Sequence, residues 1–423
     1  MAVKIKNLTN IAWLSVDTGG QLIVGFLIGG LVARYLGPSA LGDLSFAIAL
    51  MAIFSSFSDL GTNSIAVREI LATRHAGEVL GTLFSIKLFG SIIAILLTLA
   101  FISVLPFSIK GEPAVVIVVA LTTLFQGWEI IDFWFQAQVS SKWTVWARLI
   151  ALLISAALNV TFVCFRFPLI YFAWAIPLAA AVKALCLSVS YRLAGGGSYP
   201  WRFSFKMAKG LVQSGILLMF CSVMKMAHLR FDQILLPYLS DSNQLGIYSV
   251  AVRLSEALYF VPAILYMTYA PAVLTARQES LEAYEHEMKR LYSKLILGSY
   301  LAILPSIILV GPITSLIFGA QYQGATPAAI IRIISLIFVS LGLGRSAALI
   351  AENRLWEYFF CILQGAICNV ILDVILIPAW GGTGAAWASL VSLAVTGYFS
   401  SFLNPKLWNH ARLQTEALLW PRL

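Results

Sequence analysis

The chain has 423 residues, 60% of them hydrophobic and only 11% charged, with a formal net charge of +9. A soluble domain is nearer 45–50% apolar and about 25% charged, so a water-soluble fold is excluded, and there is no room for a separate soluble domain. In such a chain the positive balance belongs to loops beside a bilayer and not to nucleic-acid binding.

Apolar runs of about 20 residues recur along nearly the whole chain, which predicts spanning helices and not a barrel of alternating strands. Lys4 and Lys6 precede an apolar run without a small-residue cleavage site, which reads as an uncleaved first helix. About twelve spans are expected. The first six cover residues 10–32, 40–66, 80–104, 113–136, 145–165 and 169–191. The other six cover 211–239, 245–275, 291–318, 327–350, 358–377 and 384–403. The fold class is therefore all-α integral membrane. Residues 1–194 form an N-terminal six-helix lobe and 195–209 a linker carrying Gly195-Gly196-Gly197. Residues 210–405 form a C-terminal six-helix lobe and 406–423 a cytoplasmic tail. The charged stretch 276–290 reads as a solvated surface helix.

Lys and Arg set the orientation. With the N-terminus in the cytoplasm, the loops after even-numbered spans collect Arg68, Arg74, Lys142, Arg148, Arg192, Arg202, Arg277, Lys289, Arg290, Arg354, Lys406, Arg412 and Arg422. The opposite side holds only Arg34, Lys110, Arg166 and Arg332, so both termini are expected to be cytoplasmic.

The halves repeat. Tyr35-Leu36-Gly37-Pro38 and Leu41-Gly42 are echoed by Tyr238-Leu239-Ser240-Asp241 and Leu245-Gly246, and Asn159…Phe172-Ala173-Trp174 by Asn369…Ala385-Ala386-Trp387. An even number of spans per half makes these parallel repeats, whose substrate sites lie between them near the midplane.

The central charges are the leading site. Lys225, His228, Arg230 and Asp232 fall in the seventh span, and Arg253 and Glu256 in the eighth. An ionisable group at membrane depth is costly and usually faces a bundle interior or water-filled cavity. Lys225, His228 and Asp232 are spaced 3 and 4 apart, so a helix lines them up on one stripe, which Ser214 and Cys221 continue. Arg230 points away and needs a separate partner. Arg253 and Glu256, 3 apart, are placed to pair along their own helix. Two readings stand: a polar chamber that attracts an anion, or charges that pair to lock two helices.

Asp17, with Trp13 and Gln21 on its stripe, and Asp59, with Ser55, are candidates for the counter-charge of Lys225 or for a coupling cation. For Asp59 a contact with backbone or Arg68 is the favoured reading. Glu129 and Asp132 read as edge anchors, and Lys87 and Lys183 as snorkelling side chains. Arg345 is placed to meet a lipid phosphate. Gly25 and Gly29 read as a close helix-packing face. The five cysteines lie singly and the four histidines lack zinc spacing, so no metal or disulfide framework is expected.

Four segments together resemble the Wzx-type polysaccharide flippases of the multidrug/oligosaccharidyl-lipid/polysaccharide exporter superfamily. They are Ala33-Arg34-Tyr35-Leu36-Gly37-Pro38; Asp59-Leu60-Gly61 with Val67-Arg68-Glu69; Trp134-Phe135-Gln136-Ala137-Gln138 with residues 145–148; and Phe231-Asp232-Gln233-Ile234 with Leu245-Gly246-Ile247-Tyr248. The resemblance implies two six-helix lobes around a central cationic cavity. It implies a substrate of undecaprenyl-diphosphate-linked oligosaccharide, with membrane lipids and the polysaccharide polymerase and chain-length machinery as partners. Arg34, Asp59, Arg68 and Asp232 are the matching positions. It implies no enzymatic cofactor; proton or sodium coupling through Asp17, His228 or Glu256 stays open. A drug exporter of the same superfamily is the alternative. A polymerase or ligase would need a long outer loop, and every predicted outer loop is short.

Overall fold

The computed structural model describes residues 2–72, 76–104, 113–198, 200–352 and 354–421. Arg74, His75, Lys110 and Arg422, and the side chains of Lys4 and Lys6, lie outside the described residues. Among the described residues the chain is helical, with no strand.

Among the described residues ten helical stretches are long and apolar enough to cross a membrane. The helices are α1 (Ala2–Ser58), α2 (Asn63–Ala72), α3 (Ala76–Val104), α4 (Pro113–Ala137), α5 (Lys142–Cys164) and α6 (Leu169–Leu193). They continue with α7 (Phe205–Leu239), α8 (Ser242–Glu279), α9 (Leu281–Phe318), α10 (Ala325–Ile350), α11 (Leu355–Leu403) and α12 (Trp408–Leu419). Two of these are each long enough for two crossings at about 20 residues apiece. α1 breaks at Gly37 (φ 75°, ψ 170°) and α11 at Gly381 (φ 54°, ψ −133°), backbone conformations that a Cβ disfavours. Pro38 then suits the first position of the second helix, where its missing N–H costs nothing. The ten stretches thus read as the twelve expected spans.

Contacts group Met1–Val223 into one compact unit and Met224–Leu423 into another, the division falling inside α7. In the first unit Leu80, Leu83, Ile130, Phe135 and Leu187 make the core, joined by Leu211 of α7. The glycine-rich connection before α7 is packed down. Trp201 packs edge-on against Tyr191 and tilted against Phe84, and its indole N–H donates to the Tyr191 hydroxyl at 3.2 Å. The turn after α1 meets α7 backbone to backbone: a Cβ on Gly61 would lie 2.0 Å from the Gly215 carbonyl oxygen. Close helix approach is made there and not at Gly25, whose Cβ position has no described atom within 4 Å.

In the second unit Met288, Leu291, Tyr292, Leu295 and Leu341 form the core, and Leu413 and Ala417 of α12 complete it. The stretch expected to be a solvated surface helix is instead the end of α8 and the first turns of α9, the latter capped by the Ser280 hydroxyl accepting from Ala283 N–H at 3.1 Å. Its charged positions stay outside, while Tyr284 and Met288, 4 apart, turn inward. The C-terminal segment likewise docks. Gln414 is fully buried and donates to the carbonyls of Leu341 and Gly397.

Candidate functional site

Four helices of the second unit converge on Asp232. Arg332 of α10 places Nη1 3.2 Å from Asp232 Oδ2 and donates to the Tyr248 hydroxyl at 2.7 Å and the Ser389 hydroxyl at 2.9 Å. Its Nε donates to Ser255 at 3.2 Å. Asp232 further accepts from Tyr248, from Ser389 at 3.0 Å and from the Gln233 backbone at 2.7 Å. The pair is buried (side chains each 2% exposed), and its stability demands this degree of satisfaction, because a buried charge without partners is expensive. One turn earlier on the same stripe, His228 Nε2 lies 3.0 Å from Ser392 Oγ and Nδ1 3.4 Å from Thr396 Oγ1.

Glu256 does not pair along its helix with Arg253. Its carboxylate meets Arg230 of α7 at 2.9 Å and lies 3.9 Å from Arg332, because two guanidiniums from neighbouring helices reach it. Arg230 thereby finds the separate partner its direction requires. Lys225 is exposed, and neither it nor Arg253 has an ion-pair partner among the described residues. The chamber reading and the pairing reading therefore divide the charges. Asp232, Arg230, Glu256 and Arg332 hold helices together, while Lys225 and Arg253 remain uncommitted cations.

In the first unit Asp17, expected as a counter-charge for Lys225 or a coupling group, is committed to partners of its own unit. It takes Arg148 Nη1 at 2.8 Å and Gln21 Nε2 at 2.6 Å, and Trp13 of the same stripe lies against Trp146 of α5 (6.0 Å between rings). The other arm of Arg148 holds Asp132. Asp59 pairs with Lys87 at 2.7 Å and not with Arg68, which meets Glu69. Lys87 does not snorkel: it is fully buried, with Glu129 3.9 Å away on its other side. Glu129 also takes Lys183 at 2.7 Å. Glu129 and Asp132 are thus members of these networks and not edge anchors.

Arg345 is likewise turned inward and not toward a lipid phosphate. It is 2% exposed and donates to Ser400 at 2.8 Å, Ser401 at 2.6 Å and the Thr396 carbonyl. It ties α10 to the C-terminal part of α11. Two side chains stand out for the opposite reason. Asn369 and Asp373, one turn apart on α11, are 1% and 0% exposed, and neither has a hydrogen-bond partner among the described residues. No group of three or more His, Cys, Asp or Glu is arranged to hold a metal ion among the described residues.

The sequence reading missed Arg332, Arg148, Asn369 and Asp373. Arg332 was assigned to an outer loop and Arg148 to an inner one, yet each lies inside a predicted apolar span. The cost of an intramembrane charge, applied there as it was to Lys225, would have singled them out.

Residues 7–275 match the polysaccharide biosynthesis protein family. The chain belongs to that family. Over 392 residues it is 24% identical to the Haloferax volcanii protein named "probable low-salt glycan biosynthesis flippase Agl15", covering 88% of this chain and 79% of that protein. Its fold is that of the lipid II flippase MurJ in an inward closed conformation (TM-score 0.73, 14% identity, 97% of this chain and 91% of that one). It is also that of an inward-facing multidrug resistance MATE family transporter (TM-score 0.69, 15% identity, 96% and 98%).

Proposed function

We propose that the protein is a flippase moving undecaprenyl-diphosphate-linked oligosaccharide units from the cytoplasmic to the periplasmic leaflet by alternating access, for O-antigen, capsule or exopolysaccharide synthesis. It would sit in the bacterial inner membrane with both termini cytoplasmic, on the loop-charge asymmetry. The observation that carries the reading is Lys225, an exposed and unpaired lysine within an apolar helix, in a chain of the polysaccharide biosynthesis protein family. Lys225 and Arg253 would meet the diphosphate through charge-assisted hydrogen bonds while the lipid tail stays in the bilayer. Outward movement of negative charge is favoured by an inside-negative potential, at about 2.3 kcal/mol per charge per 100 mV. The unit would then pass to polymerase and chain-length proteins.

Coupling to a proton or sodium gradient is part of the proposal. Asp17 and Glu256 are held in ion pairs and both ring nitrogens of His228 meet hydroxyls, which leaves the unpartnered Asn369–Asp373 turn as the second unit's group for that task. Asp373→Asn should leave the protein folded and remove gradient dependence from flipping in proteoliposomes. Unchanged dependence would take coupling away from α11.

The deciding experiment is in a strain deleted for the gene. Lipid-linked units accumulating on the cytoplasmic leaflet, relieved by the intact gene and not by Lys225→Ala, support the reading. Normal arrival of units in the periplasm refutes it. The likeness in fold to multidrug transporters supports a drug exporter as the second reading. It predicts loss of dye efflux on deletion, with lipid-linked units unaffected.

A further inference from the structure

The first unit contains a cavity of about 380 Å³ between α1, α5 and α6, lined in part by Gln21, Arg148, Ser155 and Lys183. A second of about 130 Å³ is walled by Phe125 and Trp128 and reached by Thr122, Gln126 and Glu129. The two share Ala180 and Lys183. The larger is within the range of small-molecule sites, roughly 300–1,000 Å³. Its chemistry differs from that of the second unit's charges. The charged side chains lining it are the bases Arg148 and Lys183, and each is already paired, Arg148 with Asp17 and Asp132 and Lys183 with Glu129. With acids at least as many as bases, the surroundings do not favour a diphosphate.

What these groups keep is hydrogen-bonding capacity in fixed positions. Arg148 spends one N–H of Nη1 and one of Nη2 on Asp17 and Asp132, and Lys183 spends one of its three donors on Glu129. Arg148 and Lys183 are each 29% exposed, whereas Asp17 and Asp132 behind them are nearly covered. The buried Thr122 hydroxyl, beside the smaller cavity, has no hydrogen-bond partner among the described residues. Planar amide, guanidinium and carboxylate groups held rigid by one another, next to aromatic walls, suit a ligand with several adjacent hydroxyls and apolar C–H faces.

We propose that this double cavity holds a neutral sugar ring of the glycan headgroup. The ring's hydroxyls would meet Gln21, Arg148, Lys183 and Glu129, and its C–H face would lie toward Trp128 and Phe125. The ligand class rests on the flippase reading above; the place rests on the cavity's own chemistry.

The test uses the full chain in lipid nanodiscs, with saturation-transfer NMR to glucose, galactose and N-acetylglucosamine and, separately, phosphorus NMR of inorganic pyrophosphate. Ala180→Leu fills the junction of the two cavities without changing any charge. It should lower sugar transfer by about tenfold or more, the scale for intruding methylenes in a fitted pocket, and leave pyrophosphate binding intact. Thr122→Val, nearly isosteric, should lower it as well and covers the case that Ala180→Leu misfolds. No transfer to any of the three sugars, or equal transfer to wild type and both variants, overturns the proposal. So does Ala180→Leu weakening pyrophosphate and not sugar. These readouts are independent of leaflet accumulation: a failed flippase assay with sugar binding lost in Ala180→Leu would refute the transport reading and leave the sugar cavity standing.

Discussion

Replacing Arg332 by leucine removes the cation from the centre of the second unit and leaves the Asp232 carboxylate buried. Asp232 would keep Tyr248, Ser389 and the Gln233 amide as donors but lose its only counter-charge within 4.0 Å among the described residues. Breaking one side of a buried pair costs about 3–5 kcal/mol. At about 1.4 kcal/mol per decade, that lowers the folding equilibrium by roughly two to four orders of magnitude. Arg332→Lys keeps the charge but not the fork that reaches Asp232, Tyr248, Ser389 and Ser255 together, so an intermediate loss is expected. The informative variant is the double one. Asp232→Asn combined with Arg332→Leu removes both charges, so neither is left buried without its counter-charge as in a single variant. A double-mutant cycle by unfolding of purified protein in mixed micelles should therefore show the double variant more stable than either single one. Arg332→Leu within about 1 kcal/mol of wild type, or additive single effects, would refute the argument that this pair holds α7, α8, α10 and α11 together.

The uncommitted cations should behave oppositely. Lys225→Ala and Arg253→Ala should abolish polysaccharide display while protein level and thermal stability stay near wild type; normal display from both would remove them from the substrate path. Gly61→Ala places a Cβ 2.0 Å from the Gly215 carbonyl oxygen at a φ of +73°, so it should destabilise the first unit by about 2 kcal/mol or more, seen as reduced yield of folded protein. Acidification should loosen α12. Burial and the nearby positive charges of Arg345, Arg354 and Arg277 hold His410 down, to about 4, against the pull of Glu352. Burial alone would raise Glu352, but the Tyr284 hydrogen bond, His410 and the bonds from Arg354 and Arg277 hold it below its usual range. The native state thus disfavours the protonated form of both groups. The histidine's contribution is complete near neutrality and is lost as pH falls from about 6.5 toward 4, and that of Glu352 is lost only below about 4.5. From pH 6.5 to 5 the histidine alone accounts for about 2 kcal/mol. Hydrogen exchange of Trp408–Leu419, corrected for intrinsic rates, should rise over that range in wild type and less in His410→Gln.

Much of this molecule is legible in its sequence because membrane insertion is a local property. Each run of about 20 apolar residues must bond its own backbone, so span number and type follow from residues adjacent in the chain. The cost of an intramembrane charge is local too, and it marked the stretch from Lys225 to Glu256. The partners are not local. Asp232 meets Arg332 100 residues away and Ser389 157 away, and Asp17 meets Arg148 131 away. The i, i+3 geometry that suggested Arg253 with Glu256 competed with a guanidinium from the neighbouring helix and lost. Only helix packing decides which base faces which acid, and so which cations are left for a ligand. That remainder, Lys225 and Arg253 in one unit and the balanced walls of a cavity in the other, is set by tertiary structure, because a charge is committed by what lies within about 4 Å of it and not by its place in the chain.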